Sequence, residues 1–151
     1  MPRQHRYPAT FHPSHRSPAT LAAVTLGGAL GTLARYSVDR GLPTATGHFP
    51  TATLLVNLSG SLLIGLVLPI ALAQAAHRPL IRPFLITGIL GGWTTYSALA
   101  ADATTLFKSA HLLMAFAYLG ATLLGSFILV AAGFYASPAH TYVRYRRENG
   151  R

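Results

Sequence analysis

Four long apolar runs dominate the pattern of this chain, at residues 19–39, 51–73, 83–107 and 111–136. Each holds the roughly 20 residues that an α-helix needs to cross a hydrocarbon core about 30 Å thick. The gaps between them are short and mostly polar: RGLPTATGHFP, QAAHRPLIR, and a few residues around Lys108. The pattern predicts an all-α membrane protein with a single four-helix transmembrane domain over residues 19–136. A soluble bundle would need polar faces on these helices, and the runs lack them. Residues 1–18, MPRQHRYPATFHPSHRSP, read as a disordered basic N-terminal tail that sets the first run too deep for a simple signal peptide. Residues 137–151 form a basic C-terminal tail.

The third run contains an anomaly. GGWTTYSALAAD, residues 91–102, places two glycines, two threonines, a tyrosine, a serine and an acid inside an apolar stretch. As one helix the run would be roughly 37 Å long, with GGWTT close to its centre. Adjacent glycines weaken a helix and threonine hydroxyls can serve freed backbone groups. A helix broken at membrane depth is tolerated where protein or a water-filled cavity covers it, and its carbonyls then suit a hard cation. The plainer alternative is a glycine kink that only allows close packing.

Small and polar residues mark the other runs. Gly27 and Gly31, Ser61 and Gly65, and Ala121 and Gly125 each lie four apart, a spacing that lets helices approach closely in lipid. Asn57 and Ser61 share one face of the second run. Asn57 reads either as an interhelical amide clamp or as a pore group. Asp102 reads as an acid held by a hydroxyl or as part of an ion path. Arg35, near the end of the first run, reads most simply as snorkelling to the interface.

Composition narrows the class. About half of the 151 residues are apolar, cysteine is absent, and the acids are Asp39, Asp102 and Glu148. The net charge of +9 comes from basic residues at the ends and in short gaps, which argues against a nucleic-acid surface. Nine of the twelve Lys and Arg residues fall in the two tails and the second gap, whereas the opposite side has only Arg40 and Lys108. The positive-inside rule then puts both termini in the cytoplasm. The seven histidines lie mostly in tails and loops without metal-ligand spacing, no Walker-type segment is present, and an enzyme is not expected.

GGALGTLARY (27–36), TLLVNLSGSLLIG (53–65) and GILGGWTTYSALAAD (88–102) together resemble the fluoride channel family known as Fluc or CrcB. The resemblance implies a four-helix subunit in the cell membrane that forms an antiparallel dual-topology dimer and carries fluoride passively out of the cytoplasm, giving fluoride resistance. It implies a structural sodium ion at the dimer interface, held by the backbone carbonyls of Gly91 and Thr94, where the third helix breaks at its centre. It places Asn57 and Tyr96 along the pore, with Ser97, Leu99 and Asp102 on the same motif, and gives Arg35, Gly27, Gly31 and Thr95 structural roles. Ser61 joins the pore by helical spacing from Asn57. Leu99 stands where the family has the second phenylalanine of an aromatic pair, and Asp102 where it commonly has glutamate.

The charge split adds one expectation. A subunit that inserts both ways should have balanced Lys and Arg counts, and nine against two is not balanced. The chain is therefore expected to pair with an oppositely oriented homologue as a heterodimer, with one complete pore. Two alternatives remain: a non-conducting partner subunit, which Leu99 suggests, and a small multidrug exporter, which would need an acid deep in the first helix where residues 19–36 have none.

Overall fold

A computed structural model describes residues 17–45, 47–74 and 77–141. Both tails lie mostly outside this range, and with them the expectation of N-terminal disorder. The architecture is all-helical. α1 spans Pro18–Gly41 and α2 spans Thr51–Gln74. The third crossing begins with α3, the π-helical Pro83–Leu90 continued by the α-helical turn Gly91–Trp93, and ends with α4 at Tyr96–Lys108. α5 spans Leu112–Ala136. The four crossings are each long and apolar enough to span a bilayer, and the protein is a multi-pass membrane protein.

Local chemistry sets the helix ends. Ser17 caps α1 by accepting from the backbone N–H of Thr20 at 3.2 Å, and Pro18 occupies the first turn, where its missing N–H has no helical partner to lose. α1 therefore starts one residue before the apolar run and takes in Pro18. α4 and α5 meet through a tight turn in which Ala110 adopts φ 61° and His111 N–H bonds the carbonyl of Leu106 at 3.0 Å.

Two seams hold the bundle. α1 packs on α3 and α2 packs on α5. In the first seam the backbones are so close that a methyl on Gly31 would collide with the Ile89 carbonyl, and one on Gly27 with that of Phe84. In the second, Gly65 faces the Val130 carbonyl and Gly133 faces that of Leu62, while Ser137 donates to the Leu66 carbonyl at 2.9 Å. Close backbone approach replaces the hydrophobic drive that lipid cannot supply. A compact apolar cluster of Leu99, Ala103, Leu106, Ala115 and Tyr118 lies where α4 meets α5, with the Phe49 ring edge-on to Tyr118 at 5.7 Å. Large apolar side chains point outward instead, among them Leu113 and Phe127.

Candidate site at the interruption of the third crossing

The third crossing is interrupted where the sequence pattern places the break. Thr94 has ψ 153° and Thr95 has φ −147° and ψ 119°, so two residues of extended backbone separate α3 from α4. The third crossing bends by only 15°. The interruption changes hydrogen bonding far more than direction.

The backbone N–H groups at the break each have a traceable partner. Thr94 N–H still bonds the Leu90 carbonyl at 3.0 Å, and the Thr94 hydroxyl donates to the same oxygen at 2.9 Å. Thr95 N–H bonds Asn57 Oδ1 at 2.8 Å, and Asn57 Nδ2 donates to the Thr95 carbonyl at 3.0 Å. The Thr95 hydroxyl caps α4 by accepting from Ala98 N–H at 3.1 Å. In a continuous helix the N–H groups of Thr95 and Ala98 would bond the carbonyls of Gly91 and Thr94. Both donors turn to side-chain oxygens here, so these two carbonyls lose their usual partners.

Neighbouring helices fix the break from both sides. Arg35 does not simply snorkel: its Nε donates to the Gly92 carbonyl at 3.2 Å, and its Nη1 lies 3.7 Å from Asp39 Oδ2 one turn on. From α2, Ser59 accepts from Trp93 Nε1 at 3.0 Å, and a methyl on Gly60 would strike the Thr94 methyl. Sequence reasoning missed Gly60, although it stands inside the quoted second-run motif.

The remaining expected site residues divide into four settings. Tyr96 is 80% exposed and Ser97 is also exposed, with its hydroxyl 3.2 Å from that of Thr95. Ser61 donates its proton to the Asn57 carbonyl at 2.8 Å, one turn back along its own helix. Leu99 is buried in the α4–α5 cluster, whereas Tyr96 is exposed.

Asp102 lies nearer the loop end. Its Oδ2 accepts from the Thr53 hydroxyl at 2.7 Å and the Tyr118 hydroxyl at 3.2 Å. It also borders a cavity of about 190 Å³ with Thr44, His48 and Thr105. Thr53 and Tyr118 were not singled out from sequence. An acid inside an apolar run does signal that donors must converge on it, without saying from which helices.

The donor set of the break is chemically one-sided. Released carbonyls are hard oxygen ligands suited to an alkali or alkaline-earth cation. Among the described residues no group of three His, Cys, Asp or Glu side chains could hold a metal. The backbone oxygens of Gly91 and Thr94 are hard donors of that kind.

The family model described as "CrcB-like protein, Camphor Resistance (CrcB)" matches residues 22–134. The "Fluoride-specific ion channel FluC 2" of Nocardia farcinica is 42% identical over 117 residues, covering 77% of this chain and 83% of the relative. The "Fluoride-specific ion channel FluC 1" of Streptomyces coelicolor is 41% identical over 128 residues, 84% of this chain and 81% of the relative. The "Fluoride-specific ion channel FluC" of Cereibacter sphaeroides is 46% identical over 103 residues, 68% of this chain and 81% of the relative.

Proposed function

Because this chain belongs to the CrcB-like family, whose relatives are named as fluoride-specific ion channels and not as enzymes, we propose that it conducts fluoride passively out of the cytoplasm as one subunit of an antiparallel dimer. The observation that carries this reading is the uncovered break at membrane depth. Gly91, Tyr96 and Ser97 are exposed on the subunit surface at the middle of a hydrophobic crossing. Polar backbone in hydrocarbon without a partner costs several kcal/mol, roughly the stability of a marginal domain. A second, inverted subunit laid on this face would cover it and bring a second pair of carbonyls to the contact. Four such oxygens would hold a sodium ion, whose charge offsets the carbonyl dipoles that the break leaves unpaired.

Fluoride would pass beside this centre. The Tyr96 ring presents a partially positive edge to an anion without binding it as an ammonium would. The exposed Ser97 hydroxyl and the second N–H of the Asn57 amide are further donors, whereas the Ser61 proton is committed to its own helix. Asp102 borders the cavity at the loop end, and its negative charge disfavours a resting anion there. Passive export needs no further energy source, since a membrane negative inside drives an anion outward by about 2.3 kcal/mol per 100 mV. Leu99 is buried in the core, whereas Tyr96 is exposed. That placement favours a conducting subunit over a silent one.

The split of nine basic residues against two favours a heterodimer as the form of the assembly. Liposomes loaded with fluoride and carrying this chain, alone or with an oppositely oriented homologue, test both readings through a fluoride electrode. Rapid fluoride release with chloride retained is expected, and Tyr96→Leu should slow it roughly 2- to 10-fold, the worth of one aromatic edge. Release only in the presence of the homologue supports the heterodimer. No selective release in either preparation rules the channel reading out.

A further inference from the structure

We infer that Asn57 is a positioning residue for the cation site, holding the third crossing open from α2, and that the anion path and the cation site are coupled through it. The inference rests on the cation reading above and concerns what keeps the Gly91 carbonyl available. The N–H of Thr95 is the group that a continuous helix would place on that carbonyl. Asn57 Oδ1 takes this N–H at 2.8 Å, and Asn57 Nδ2 holds the carbonyl of the same residue at 3.0 Å. One planar amide thus brackets the N–H and C=O of a single residue, as a neighbouring strand would, and Thr95 accordingly has the dihedrals of a strand.

Removal of the amide changes the balance at this point. Thr95 N–H would then be unsatisfied in a water-poor setting, while its C=O, at the N-cap of α4, loses only its second donor. The nearest remedy for the N–H is the helical bond back to Gly91, which consumes the oxygen a cation needs. Asn57 is also held firmly in place, being 8% exposed on a stretch of α2 that the Trp93–Ser59 bond fastens to α3. It acts on the cation through Thr95 and need not touch the ion. Substitution at Asn57 should therefore lower cation occupancy as well as fluoride flux.

Thermal unfolding of the full-length protein, in sodium against N-methyl-D-glucamine salt at equal ionic strength, tests this. Sodium should raise the wild-type midpoint by several degrees, because a ligand that binds only the folded state stabilises it. Asn57→Leu should abolish that rise, whereas Asn57→Asp, which retains the acceptor for Thr95 N–H, should keep much of it. Should the leucine variant not fold, Asn57→Ser carries the same expectation, its hydroxyl being too short to bracket Thr95. The ¹³Cα and ¹³Cβ shifts of Thr94 and Thr95 should be extended in the wild type and helical in the leucine or serine variant. A wild type indifferent to sodium overturns the cation reading and the positioning role with it. A wild type that responds, beside an Asn57→Leu or Asn57→Ser variant that responds equally or keeps Thr95 extended, overturns the positioning role alone.

Discussion

Residues at the break behave as a set in which small size and polar reach matter equally. Gly60 has no side chain, and that absence lets α2 lie against Thr94 and Trp93. Thr94 cannot simply rotate its methyl away, because its hydroxyl is engaged with the Leu90 carbonyl. Gly60→Ala should therefore destabilise the fold by about 1–3 kcal/mol and reduce fluoride efflux, as measured by melting in detergent and by the electrode assay. Gly28 is the control: nothing lies within 4 Å of a methyl added there, so Gly28→Ala should be neutral or slightly stabilising. At this scale the sequence was partly legible. GGWTT announced an interruption because glycine pairs and threonines stand out in an apolar run. Asn57 was legible as an interhelical amide clamp, but its partner Thr95 and the Gly92 partner of Arg35 were not, because a hydrogen-bond partner 38 or 57 residues away leaves no mark on local pattern.

Among the elements, the third crossing departs furthest from expectation. Its first half is π-helical over Pro83–Leu90, a wider winding that the spacing of PFLITGIL gives no hint of. Such windings are frequent at functional sites, and this one leads directly into the break. The α1–α3 seam supports it, with Gly27 and Gly31 on one helix facing the carbonyls of Phe84 and Ile89 on the other. Since a methyl on Gly31 meets backbone that cannot swing aside, Gly31→Ala should cost about 1–3 kcal/mol or more, visible as a lower melting midpoint. The small-residue spacing announced this seam, although the partner helix was not legible. On α5 the same reasoning singled out Ala121 and Gly125, yet a methyl on Gly133 would meet α2 backbone at the Leu62 carbonyl, whereas one on Gly125 would meet only the Leu58 side chain. Glycine at membrane depth is too common for spacing alone to choose among candidates.

For the whole molecule, the four crossings were the most legible feature, because an apolar run near 20 residues long has few other physical outcomes. The observed helices begin and end within about two residues of the runs, and caps such as Ser17 and Pro18 account for the differences. Orientation follows from charges that lie largely in the tails. Reporter fusions should place both termini in the cytoplasm for nearly all molecules, and neutralising the tail arginines should yield mixed orientation. Equal populations of both orientations in the unaltered chain would remove the basis for an obligate heterodimer. Assembly matters because the subunit alone leaves its break uncovered. The most direct test is a high-resolution density map of the assembled protein in sodium. An ion should lie between the Gly91 and Thr94 carbonyls of two inverted subunits, with residues 94–95 extended. A continuous third helix and an ion-free contact would refute the cation-centred dimer.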